Sequence, residues 1–229
     1  MPTSLHGIAN KARRKKQHRF QNLIGMLNEE FLWECWPLLK KNVATGVDHM
    51  TAQEYGEHFI PNVRGLIDKL KKGAYRAKLV LRKWIPKGEG KLRPLGIPAL
   101  EDKLLQIAVA SILRAIYEED FLPCSYGYRP HKSAKDAAKD LWRVLQRGRY
   151  GYVVEADIKG FFDNIDHQWM IRMLAHRIDD KPFLRLIKKW LKAGILEKDG
   201  KVTHPVTGTP QGGIVTPPTQ KITWVFEPS

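Results

Sequence analysis

The stretch EADIKGFFDNIDH, Glu155 to His167, follows a run rich in tyrosine and valine, YGYVV, and carries the chain through an aspartate into paired phenylalanines. β-Branched and aromatic residues in a short run read as a strand, here Tyr150 to Asp157. An aspartate at the carboxyl end of a strand is held rigidly over the cleft above the sheet. A carboxylate there can offer oxygen to Mg²⁺ at about 2.1 Å. The plainer reading of Asp157 is a helix cap or a solvated carboxylate. Asn164 or Asp163 can cap the helix that follows, which carries Ile165, Trp169, Met173 and His176 on one side.

Upstream, KLVLRKWIPKGEGKLRPLGIP (78–98) alternates apolar and basic residues and turns at Gly88 and Gly90, the pattern of a two-stranded hairpin. Lys78, Arg82, Lys87, Lys91 and Arg93 crowd this one element. A lysine-rich solvated edge would explain a few of them; their density favours an anion site. Asp102 can cap a helix with apolar positions Leu105, Val109, Ile112, Leu113 and Ile116. The loop CSYGYRPHKS (124–133) follows, and Ser133 with Asp136 forms a capping box that opens a helix closed by Gly148. Downstream, Asp180 and Pro182 open a helix that stops at Gly194. Asp199-Gly200 then marks a second hairpin leading into GTPQGG (208–213).

Nearer the N-terminus, Leu23, Met26, Leu27, Phe31 and Leu32 recur at helical spacing, and Leu66, Ile67 and Leu70 mark a later helix. The chain has 39 Lys+Arg against 24 Asp+Glu, a net charge of +15, which points to a polyanionic partner, nucleic acid before an anionic membrane. The cluster KARRKKQHRF (11–20) reads as a solvated, flexible arm whose Lys11, Arg13, Arg14, Lys15, Lys16 and Arg19 can contact phosphates. Two distant cysteines and scattered histidines give no zinc spacing. There is neither a signal-peptide apolar region nor a long uncharged apolar run, so no membrane partner and a cytoplasmic location are expected.

IPKGEGKLRPLGIPALEDKLLQ, SYGYRP, ADIKGFFDNIDH and GTPQGG resemble, in order and spacing, successive motifs of group II intron-encoded reverse transcriptases, the intron maturase family. The resemblance runs from about residue 30 to about Val215. It implies an α+β fold, mostly helical with short antiparallel strands, corresponding to the fingers and an incomplete palm of a right-hand polymerase. The expected organisation is a basic arm (1–21), a fingers-like region (22–149) with the hairpin at about 76–98, a partial palm (150–215) and an atypical tail (216–229). It also implies RNA-directed DNA polymerase activity by two-metal nucleotidyl transfer, acting in intron splicing and mobility. Its partners would be intron or template RNA, a DNA primer and dNTP, with two Mg²⁺ ions as cofactor.

Carried over by position, Asp157 matches the first catalytic carboxylate and metal ligand, and Ile158 a carbonyl ligand beside it. Phe162, with Phe161 as its neighbour, matches the aromatic under the incoming sugar. Lys87 and Arg93 match the triphosphate clamp, and Gln211 a residue near the templating pair. Arg129 matches a position that is either template-contacting or structural. The sequence contains no Tyr-x-Asp-Asp, the family's second carboxylate motif. The resemblance therefore implies a chain inactive alone, with an open palm edge that favours self-association. The competing reading is a non-catalytic module that binds intron RNA and assists splicing.

Overall fold

In a computed structural model describing residues 4–88, 90–148 and 150–209, with the side chains of Lys87 and Phe162 left aside, the basic N-terminus is a helix and not a loose arm. Leu5, Ile8 and Ala12 recur at helical spacing beneath the charges. Ser4 caps the first turn, its hydroxyl accepting from the Gly7 N–H at 3.1 Å. Ile8 and Ala12 are buried as this helix, α1 (Leu5–Arg14), packs on α5 (Leu100–Tyr117). The expected flexibility is thus corrected: the apolar stripe outweighs the repulsion among its cations. Between them lie α2 (Glu29–Cys35), α3 (Ala52–Glu57) and α4 (Phe59–Lys71), with Leu23, Leu27, Phe31, Leu32, Leu66 and Ile67 buried as their spacing predicts.

The core forms around α5, whose residues are buried on nearly every side. Asp102 does not cap it. The helix begins two positions earlier, with Ala99 at the cap, so Asp102 turns inward and is only 2% exposed. Its two oxygens accept from the Tyr75 hydroxyl at 2.6 Å and the Lys78 N–H at 3.0 Å. Tyr75 in turn accepts from the Trp190 indole N–H at 2.7 Å. Buried polar groups are tolerated when they are partnered in this way.

The predicted hairpin forms as β1 (Val80–Gly88) and β2 (Lys91–Ile97), with Gly88 and Gly90 at φ of 101° and 72°. The second forms as β3 (Ile195–Leu196) and β4 (Val202–Thr203). Local pattern did not reveal that they join. Val80 pairs with Ile195 and Leu81 with Leu196 in parallel, giving the order β2-β1-β3-β4, so the sheet is mixed and not purely antiparallel. Gly194 permits the junction: a Cβ there would lie 2.8 Å from both His204 and Leu79, while its carbonyl accepts the Val80 N–H at 2.8 Å.

After the capping box at Ser133 and Asp136, α6 (Ala134–Gln146) presents Ala134, Ala137, Ala138, Leu141, Trp142 and Leu145 at helical spacing, yet none of its residues is buried. The next segment corrects a second expectation. Residues 152–158 form no regular structure, with Tyr152 92% and Val154 90% exposed. A strand exists only by pairing, and no strand lies alongside this segment among the described residues. A short helix, α7 (Phe161–Asn164), precedes α8 (His167–Arg177) and α9 (Lys181–Leu191). Asp166 caps α8, accepting from the Trp169 N–H at 2.8 Å, while the Asn164 side chain donates back to the Gly160 carbonyl. Asp180 caps α9 as expected, accepting from the Phe183 N–H at 2.9 Å.

The N-terminal segment sews this C-terminal region to the core. The Phe20 N–H donates to the Arg177 carbonyl and the Asp179 N–H to the Phe20 carbonyl, both at 2.7 Å. The buried Arg177 side chain donates to the carbonyls of Ala12 (3.2 Å) and Lys16 and lies 3.5 Å from the Asp120 carboxylate.

Candidate active site

The fold brings two of the motif stretches together. Thr207 donates its hydroxyl hydrogen to the Asp163 carbonyl at 3.0 Å, and the Gly208 N–H donates to the Ile165 carbonyl at 2.8 Å. The Gly208 carbonyl lies 2.6 Å from Nε2 of the buried His167. The lead-in to PQGG thus docks on DNIDH, some forty residues earlier in sequence. Sequence reasoning passed over His167, whose place at the first position of a capped helix gave no sign of its distant partner.

Asp157 is exposed and precedes this junction by a few residues in sequence. Beyond it the Ile158 carbonyl accepts the Phe161 N–H at 3.3 Å, and the chain turns through Gly160 at φ 64°. An exposed carboxylate beside a carbonyl that keeps a free lone pair is a hard-oxygen pair suited to Mg²⁺. The remaining acidic neighbours do not complete it: Asp166 is engaged as a cap, and among the described residues no group of three or more His, Cys, Asp or Glu could hold a metal. The described residues therefore show no complete metal site, and the pairing of Asp157 with Ile158 rests on the motif resemblance. The predicted Gln211 and the side chains of Lys87 and Phe162 lie outside the described residues.

On the hairpin, Arg93 pairs across from Ile85 and is exposed, on the same side of the ribbon as the exposed Lys83. Two cations of the expected anion site are engaged elsewhere: Arg82 pairs with Glu197 at 3.2 Å, and Lys78 with Asp48 at 2.8 Å.

Arg129 is engaged within the protein. Its guanidinium donates to Glu118 at 2.7 Å and to the carbonyls of Leu122 and Ser125 at 2.8 and 3.1 Å, clasping the loop shut. Half of the arm's cations are likewise engaged. Arg13 grips Glu119 through two hydrogen bonds of 2.9 and 3.1 Å, which hold that carboxyl below its usual range. Lys16 donates to the Glu119 carbonyl and faces Asp120, and Arg19 donates to the Ala175 carbonyl. Lys11, Arg14 and Lys15 remain exposed. Partial burial first, then the charges of Lys11, Lys15 and Arg177, push the His18 imidazole below its ordinary value, a sign of positive potential along this side.

Comparison with known proteins agrees with the motif order. Residues 85–223 match the family model described as reverse transcriptase (RNA-dependent DNA polymerase). The group II intron-encoded protein LtrA of Lactococcus lactis subsp. cremoris is 42% identical over 173 residues, which is 75% of this chain and 28% of that protein. Protein YkfC of Escherichia coli K12 is 35% identical over 208 residues, covering 87% of this chain and 54% of its own length. The 91 kDa protein in the cob intron of Schizosaccharomyces pombe is 32% identical, with 84% of this chain and 23% of that protein covered. The chain thus spans between about a quarter and about half of these relatives. Among solved structures, a chain of the partial Cas6-RT-Cas1--Cas2 complex superposes at a TM-score of 0.56 and 24% identity, covering 88% of this chain and 33% of that one, a likeness of fold. From motif order and family model together, the chain belongs to the reverse transcriptase (RNA-dependent DNA polymerase) family, and it is similar to proteins encoded by group II introns.

Proposed function

We propose that this chain is the RNA-holding, fingers-and-partial-palm portion of a group II intron reverse transcriptase, and that alone it binds RNA without polymerising DNA. The observation supporting this reading is the docking of residues 207–208 on 163–167, which joins two family motifs just downstream in sequence of the exposed Asp157. In a complete enzyme Asp157 and the Ile158 carbonyl would hold Mg²⁺, Lys87 and Arg93 the triphosphate, Phe162 the sugar, and Gln211 the templating pair. Bound metal would activate a primer hydroxyl and steady the leaving phosphate. The part left to this chain is to orient RNA and nucleotide against those side chains.

The non-catalytic reading is favoured for this polypeptide by one feature. With no Tyr-x-Asp-Asp in the sequence, a lone carboxylate does not hold two ions about 4 Å apart. RNA is then held by charge, through the exposed Lys11, Arg14, Lys15, Lys83 and Arg93. The exposed apolar faces of α6 and of residues 152–158 favour self-association at high concentration.

Two measurements test this. Primer extension on an RNA template with dNTPs and Mg²⁺ should yield no product; robust extension would refute the inactive reading. In filter binding, Asp157→Ala should leave RNA affinity within about twofold, whereas K11E/R14E/K15E should weaken it on every sequence. The log–log salt slope should flatten by about 1 for every phosphate that is no longer neutralised. Affinity indifferent to salt would remove the RNA-binding reading altogether.

A further inference from the structure

The β1–β2 hairpin has two unlike sides. Lys83 and Arg93 stand on one. The other carries Arg82, Trp84 and Pro86 from β1 and, directly across, Pro94 opposite Trp84 and Leu92 opposite Pro86. Trp84 is 50% exposed and Leu92 60%, and Pro86 is exposed as well. The Arg82 guanidinium sits 5.9 Å from the Trp84 ring centroid and is itself held by Glu197 at 3.2 Å. This fixes the indole between a pinned cation and flat proline and leucine surface. Because β2 is the outer strand of the sheet, a chain crossing that edge passes from the cationic side to the aromatic one.

We infer that this outward side is a stacking platform for an unpaired nucleobase of single-stranded RNA, with Trp84 as its floor. An indole offers a π-face that any base can cover, and the cations across the ribbon supply the phosphate attraction that a base alone lacks. The occupant is RNA and not protein, for two reasons. The patch is a few side chains wide, far short of the roughly 800 Å² a stable protein partner buries on each side. At this patch a second copy of the hairpin would also bring its own Arg82, Lys83 and Arg93 against these cations. The inference deepens the RNA-binding reading above and rests on it.

Binding of a short labelled polyuridine and polyadenosine to the full chain, with matched duplex RNA as control, tests the platform. Trp84→Ala and Trp84→Leu should each weaken both single strands by roughly 5- to 100-fold, Trp84→Phe should restore most of the loss, and duplex binding should hold. Circular dichroism melts would establish that the variants are folded. If the native chain binds RNA and Trp84→Ala binds polyuridine equally well, the platform is refuted while the RNA-binding reading stands. If Trp84→Ala instead shifts the sedimentation of the free protein and leaves RNA affinity unchanged, the patch is a protein contact and the inference fails. A native chain with no affinity for any RNA overturns both readings.

Discussion

Arg177→Ala is expected to destabilise the fold by about 3–5 kcal/mol, the usual cost of removing one partner from a buried ion pair. At 4% exposed, Arg177 reaches three different parts of the chain: the carbonyls of Ala12 and Lys16 and the carboxylate of Asp120. Alanine would leave two carbonyls without a donor and one half-buried charge with only Lys16. Its guanidinium also lies 6.0 Å from the Phe20 ring centroid, so packing disappears along with charge. The network is not ideally satisfied, since Asp120 Oδ2 and Arg177 Nε are buried without partners. Burial accordingly lifts the Asp120 carboxyl above its ordinary range despite Arg177 and Lys16. Arg177→Met with Asp120→Leu should therefore recover the part of the loss due to the unpaired carboxylate and the lost packing, while the carbonyls of Ala12 and Lys16 still lack their donor. Urea denaturation of the three proteins measures both effects. A single variant within about 1 kcal/mol of the native chain would show that the N-terminal segment does not depend on this arginine.

The second large effect is a pH dependence carried by Asp102. Burial raises this carboxyl to about 6, against the pull of the hydrogen bonds from Tyr75 and Lys78. The folded protein thus binds the proton more tightly than the unfolded chain. The stabilising contribution is full below about pH 4, the unfolded value, and is lost as pH rises through about 6. A rise of about two units corresponds to about 3 kcal/mol across that window. Other carboxyls act in the opposite sense: Glu54, held by Thr51, and Glu119, held by Arg13, are pushed down and lose their stabilising effect on acidification. The informative quantity is therefore the stability of the native chain minus that of Asp102→Asn, measured from pH 4 to 7.5. That difference should fall with rising pH; a flat difference would mean that Asp102 titrates as an ordinary solvated acid.

The parts of the fold that were legible in sequence are those fixed by neighbours a few positions away. Ser133 with Asp136, Asp180 with Phe183, and the glycines at 88, 90 and 200 each complete their geometry locally. Asp102 and Tyr150–Asp157 misled because their outcome depends on distant partners: Tyr75 and Lys78 draw the carboxylate inward, and among the described residues no strand pairs with the second segment to make a ladder. The arm misled for a different reason. Its charges dominate the composition, while Ile8 and Ala12, few but correctly spaced, decide its structure. At the candidate site, the motif order singled out both stretches, but the pairing of Gly208 with His167 bridges too long a loop for pattern to reveal.

The parallel seam between β1 and β3 involves only two residue pairs, Val80 with Ile195 and Leu81 with Leu196. Beyond it the ribbon projects like a cantilever clamped at its root, with the Arg82–Glu197 pair as a side brace. A load applied near Trp84 or Arg93 should pivot about that clamp and leave the cap of α9 undisturbed.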